Sequence, residues 1–265
     1  MKKLFIFLLI LIFLCACNAD DQLNGEETST LVDENITQEA EVDLGVASFE
    51  NAVLTPAAGW GSLNYDPPVP GTYNLPPFGK AADGNVLTED GIAKRLADFY
   101  GDKFVILSFI YTQCSDLNGC PLVTAVFYKI KQRLMDENPE LADQLRLVSL
   151  SFDPNYDTPE VMKFYGMGAK DMGGPEWNFL TTESVEELTP ITEDFGQYVN
   201  KEYDEDGNPT YAYAHILRVF LIDKEGNKRA QYSAGFLHAD SLISDVKTLQ
   251  MEEVAEQNSG SSESS

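Results

Sequence analysis

Seven residues constrain this chain more than any others. Phe104–Ile110 (FVILSFI) is an unbroken apolar run, short enough for a strand and lacking the alternation of a half-wet one. It therefore belongs in the middle of a sheet, buried on both faces. A polar loop follows over residues 111–119, and then Cys120-Pro121, where proline suits the first turn of a helix. Behind it Val123, Phe127, Ile130 and Leu134 recur at helical spacing and mark one apolar face.

The rest of the domain is read from that junction. Residues 145–152 form the next strand, Asp153-Pro154 turns the chain, and Thr158-Pro159-Glu160 opens a short helix through Tyr165. Phe179-Leu180 ends a strand, and residues 184–195 form a helix. Residues 216–222 and 228–233 pair as a hairpin across the DKEG turn, and residues 240–250 close the domain as a helix. The proline-rich stretch 60–78 is expected to wrap the domain in extended segments. This order predicts an α/β, thioredoxin-like fold: a mixed central sheet with helices on both faces. No G-x-G-x-x-G follows a strand and no P-loop is present, so nucleotide chemistry has no support.

The first residues assign a compartment. Lys2 and Lys3 precede an apolar run over residues 4–14. As a helix that run rises only ~16 Å, against a hydrocarbon core of ~30 Å, so it reads as an export signal rather than a span. Leu14-Cys15-Ala16-Cys17 ends it in a pattern that resembles the lipobox of bacterial lipoproteins. Residues 1–16 are then a leader, and Cys17 is the lipidated N-terminus that anchors the chain to the membrane. The domain would face away from the cytoplasm, on the periplasmic or outer side.

Residues 18–50 hold ten Asp and Glu and no Lys or Arg, the composition of a disordered tether over residues 17–50. The domain spans residues 51–250, and residues 251–265 read as a disordered tail. Of the chain's 43 acids and 18 bases, 29 and 16 fall within residues 51–250. A surface so acidic repels phosphate backbones, which excludes nucleic acid as a partner.

Cys114 and Cys120 are the cysteines that remain after processing, in an oxidising compartment. One lies just past the buried strand and the other at the start of the helix, where the N-terminal partial charge favours a thiolate on Cys120. Such a pair serves either a structural disulfide or a soft metal such as Cu(I) or Zn. His215, at the mouth of the 216–222 strand, either completes a two-sulfur, one-imidazole copper site or caps a sheet end. Asp116 and Asn118 read as turn residues, and Asp153, Asp157 and Glu160 as turn and helix-cap residues. His238 is expected to be exposed or capping. Met162, Met167 and Met172 are expected in core or loop packing.

Three strings, at residues 104–121 (FVILSFIYTQCSDLNGCP), 151–161 (SFDPNYDTPEV) and 215–226 (HILRVFLIDKEG), resemble the SCO/SenC proteins. Those are membrane-tethered, thioredoxin-fold copper proteins that help assemble the dinuclear copper centre of haem–copper oxidases. The resemblance runs from about Tyr73 to Gln250, and it implies a copper ion held by Cys114, Cys120 and His215 and delivered to an oxidase subunit. It leaves a rival open, a thiol–disulfide oxidoreductase using Cys114 and Cys120 on a copper-site apoprotein. A binding module with a structural Cys114–Cys120 bridge is a third possibility. Five residues separate the cysteines where the family usually has three, a departure that shifts weight toward disulfide chemistry.

Overall fold

The computed structural model describes residues 55–262, with side chains to residue 259. The leader, Cys17 and the acidic tether lie outside the described residues. Seven strands form the central sheet: β1 (Asn85–Thr88), β2 (Ala93–Arg95), β3 (Phe104–Ile110), β4 (Leu145–Ser151), β5 (Glu176–Thr181), β8 (Val219–Ile222) and β9 (Lys228–Tyr232), in the order β2-β1-β5-β4-β3-β8-β9. Two further strands, β6 (Val199–Tyr203) and β7 (Pro209–His215), make a separate antiparallel ribbon. β3 runs parallel to β4 and β4 to β5, while β8 lies antiparallel to β3. All seven residues of β3 are buried, as the apolar run requires.

Among the described residues two short 3-10 helices (Ala58–Trp60 and Leu96–Phe99) and five α-helices complete the element order: α1 (Cys120–Glu137), α2 (Pro139–Asp143), α3 (Pro159–Lys170), α4 (Val185–Asp194) and α5 (Ala239–Ser262). The predicted face of α1, Val123, Phe127, Ile130 and Leu134, is buried. It packs toward Trp177 of β5, whose indole N–H donates to Ser149 Oγ at 3.1 Å. Gly166 of α3 meets Phe179 on the same side of β5, so closely that an added Cβ would stand 2.4 Å from the ring. On the other face Phe195, at the end of α4, meets Phe109 and Phe220 with ring centroids 5.3 and 4.8 Å away. The sheet is mixed and covered on both faces.

Three expectations are corrected. The strand predicted over residues 216–222 begins only at Val219. Ile216 is exposed, and the chain crosses from ribbon to sheet where Arg218 Nη1 donates to the Gly196 carbonyl. His215 therefore ends a ribbon strand and does not open a sheet strand. The 251–265 tail is helical to Ser262. Glu252 and Glu253 pair there with Arg229 and Lys224, which fastens the added turns to the sheet. The proline-rich stretch does wrap the domain, held by Gly71 N–H on Thr248 Oγ1 (3.1 Å) and by the Tyr73 hydroxyl on Asp245 (2.5 Å).

Candidate metal and thiol site

The parallel β3–β4 pair ends at one edge of the sheet, and the chain leaving β3 carries Tyr111, Thr112, Gln113 and Cys114 over that edge. Asp157 sets the path of this loop. It is wholly buried and accepts from Thr112 N–H at 3.0 Å, from the Thr112 hydroxyl and from Ser151 Oγ at 2.5 Å. Burial holds its carboxyl above the ordinary value, although these donors and the hydroxyls oppose the shift. Asp157 is thus no helix cap. That role falls to Thr158, whose hydroxyl accepts from Val161 N–H at 3.4 Å. Asp153 turns the chain as expected, its carbonyl accepting from Tyr156 and Asp157 N–H, and Glu160 occupies the first turn of α3.

Both cysteines are free thiols, Cys120 buried and Cys114 half-buried. Their electrostatics differ from the sequence expectation of a thiolate on Cys120. The Cys114 thiol is pulled down to about 6, first by the Cys120 S–H. The backbone N–H groups of Cys120 and Asp116 and the Tyr111 hydroxyl act in the same direction, against the cost of burial. Cys120 moves the other way, held up by its bond to Cys114 and by burial. The helix N-terminus does favour a thiolate, but its Cys120 N–H acts on both sulfurs, and Cys114 is the one that can be ionised with less desolvation. The Tyr111 phenol, raised to about 12 chiefly by burial and by the neighbouring Cys114, remains a donor.

His215 lies one aromatic layer away. Its ring packs 5.7 Å from Tyr111 and 4.9 Å from Phe152, with Tyr213 completing the cluster at 5.2 Å from Tyr111. Nδ1 lies 3.1 Å from the Tyr213 carbonyl oxygen, which can only accept. Nδ1 therefore carries the proton of the neutral ring, and Nε2 is the nitrogen with a lone pair for a metal. Among the described residues no three His, Cys, Asp or Glu side chains converge as a metal cluster. Cys114 and Cys120 are brought together, and Tyr111 stands between Cys114 and His215.

The other candidates fall away from this site. His238 is buried rather than exposed; its Nδ1 accepts from Asp240 N–H at 3.1 Å at the start of α5, and Nε2 meets the Gly61 carbonyl at 3.1 Å. Met162 is in the core, Met167 is exposed on α3 and Met172 is half-buried. Asp116 serves its turn through Asn118 N–H at 3.0 Å.

Sequence reasoning missed Tyr111, Tyr213, Asp157 and the β6–β7 ribbon. The alternation Tyr211-Ala-Tyr213-Ala-His215 behind Gly207-Asn208 was the available hairpin signal.

A family model described as SCO1/SenC matches residues 85–250. The chain belongs to the SCO1/SenC family. Among solved structures it is similar to a SCO1/SenC family lipoprotein from Bacillus anthracis, with 26% identity and a TM-score of 0.55, covering 67% of this chain and 99% of that one. It is also similar to apo Sco1 from Thermus thermophilus, with 26% identity and a TM-score of 0.53, covering 71% and 99%. ScoI of Arabidopsis thaliana, solved with copper bound, shares the fold at 22% identity and a TM-score of 0.52, covering 64% and 98%. These relatives carry the thioredoxin-like fold that the element order predicted. A search of curated proteins finds no match.

Proposed function

We propose that this SCO1/SenC protein is a lipid-anchored copper carrier, held to the membrane through Cys17, that delivers copper to a respiratory haem–copper oxidase during its assembly. The observation that carries the reading is the pair of free thiols brought together where the loop after β3 meets the head of α1, with the Cys114 thiol held down. Two sulfurs and an imidazole form a soft donor set suited to Cu(I). The ion here is cargo. Cys114 meets it as an anion, and Cys120 loses its proton as it coordinates, so loading releases protons. His215 supplies the third ligand through Nε2, with its tautomer already set by Tyr213. Its place at the end of a ribbon outside the central sheet supports a movement toward the sulfurs that leaves β3 and β8 undisturbed. Copper is bound in the structure of Arabidopsis thaliana ScoI, which shares the fold, and that is consistent with this reading.

Copper titration of the reduced chain tests it. One Cu(I) per chain with sulfur at the metal by X-ray absorption is expected, and His215→Ala should weaken binding at least tenfold while the Cys114–Cys120 disulfide still forms. An absence of tight binding, or a metal without sulfur ligands, refutes the carrier.

One observation favours a second reading. A low-titrating, accessible Cys114 backed by a buried, high-titrating Cys120 is the attacking-and-resolving arrangement of thiol–disulfide exchange. That activity would reduce the cysteines of a copper-site apoprotein. Turnover of a mixed-disulfide substrate without copper binding would select it.

A further inference from the structure

Asn118 lies inside the lengthened cysteine loop, yet its side chain bonds outside it. Its Oδ1 accepts from Ala57 N–H at 2.8 Å and its Nδ2 donates to the Thr55 carbonyl at 3.1 Å. These are the two bonds by which a neighbouring strand would grip an extended segment. Leu117 adds a third, its carbonyl accepting from Trp60 Nε1 at 3.1 Å. Past this grip the segment seats on α1. Lys129 Nζ donates to the Gly59 and Trp60 carbonyls at 2.7 and 3.1 Å. A Cβ on Gly59 would stand 2.4 Å from the Leu237 carbonyl oxygen and 2.8 Å from Val126 Cγ2.

On its inner side the same loop is wound around Cys114. The Asp116 backbone N–H is among the groups that hold the Cys114 thiol down. Asp116 Oδ1 accepts from Asn118 N–H at 3.0 Å, and its carbonyl accepts from Gly119 N–H at 2.9 Å. A Cβ on Gly119 would lie 3.1 Å from Cys114 Sγ. The loop is thus packed on the sulfur at Gly119, and hydrogen bonds lead from Asp116 through Asn118 to the backbone at residues 55 and 57.

We propose that the lengthened cysteine loop is a clasp on the chain's own N-terminal approach, residues 55–60, with Asn118 the positioning residue that closes it, so that the bonding state of Cys114 and the docking of this segment are coupled. This rests on the reading in which Cys114 is the sulfur that changes partners. When that sulfur turns to a metal, the loop packed on it at Gly119 must shift, and the turn at Asp116 that aims Asn118 loosens with it. Coupling of this kind is reciprocal: an open clasp must alter Cys114 as much as Cys114 alters the clasp. The clasped segment is also the covalent link between the domain and residues 1–54, Cys17 included.

Hydrogen exchange at the Ala57 amide and iodoacetamide alkylation of Cys114, on the reduced, metal-free full chain, test the clasp. Asn118→Ala should speed Ala57 exchange at least tenfold and change the Cys114 alkylation rate at least threefold, with β3 amides unchanged. Asn118→Asp keeps the acceptor and gives up the donor, so it should fall between wild type and alanine. Cys114→Ala should speed Ala57 exchange at least threefold, and so should one equivalent of Cu(I) on the wild-type chain. Unchanged exchange in both Asn118 variants overturns the clasp. Unchanged exchange in Cys114→Ala, or on copper loading, overturns the coupling. Failure of copper to bind removes the carrier reading alone, because the Cys114→Ala measurement decides the clasp without metal.

Discussion

Replacing Cys120 by alanine should change how Cys114 reacts with pH in a way that isolates the thiol–thiolate bond. In the wild-type chain Cys114 titrates at about 6, and the Cys120 S–H is the largest cause. An ordinary cysteine titrates near ~8.5. At pH 7 the thiolate fraction would fall from roughly nine-tenths to about 3% if Cys114 returned the whole way. A more basic thiolate is also a better nucleophile, and a Brønsted slope of ~0.4–0.5 restores about tenfold. The alkylation rate should therefore drop only about threefold at pH 7, drop about twentyfold near pH 5.5 and rise about tenfold above pH 9. The Cys120 N–H, Asp116 N–H and Tyr111 hydroxyl remain in the variant, so these figures are upper limits, but the two rate profiles must cross. Iodoacetamide alkylation followed by mass spectrometry across the pH range reads this directly. A midpoint still near 6 in Cys120→Ala, or a wild-type midpoint in the ordinary thiol range, would refute the reasoning.

Three further outcomes are expected. Because the Cys114 value is depressed in the folded state, its contribution to the stability of the reduced domain should be complete only above the ordinary thiol range. It should lose that contribution as pH falls toward about 6, and urea denaturation showing the opposite slope in that window, relative to Cys114→Ala, would contradict the assignment. Asp157→Ala strands the Thr112 N–H and two hydroxyls in a buried place and should cost about 2–4 kcal/mol; chemical denaturation with a loss under about 1 kcal/mol would show that the loop does not depend on it. Cys17→Ala should abolish acylation and release the chain from membranes, and a substituted chain that remains acylated and membrane-bound would refute the anchor.

Much of this protein was legible before any coordinates. The apolar run of β3, the helical face of α1 and the caps around Thr158 follow from local physics, since burial and helix periodicity leave their mark on consecutive residues. The pairing of Cys114 with Cys120 was legible by residue type, while His215 joins them only by resemblance. The β6–β7 ribbon was not legible, because its strands are half-exposed and the apolar pattern of β6 is interrupted by Lys201 and Glu202.

Sequence alone determined the buried strand β3, the helix α1 behind it and which side chains have the chemistry for a soft metal or a thiol exchange. It could not assign the charge between the two sulfurs. The helix N-terminus at Cys120 is visible in the sequence, but that Cys114 is left the less buried of the two sulfurs depends on how five residues fold between them. It could not show that Asp157 belongs to Thr112 rather than to its own helix, or that Asn118 reaches Ala57 across 61 positions. Nor could it place Tyr111 between Cys114 and His215. Hydrogen bonds and ring contacts act over a few ångströms in space and are indifferent to separation along the chain, so they exist only once the sheet has brought its loops to one edge.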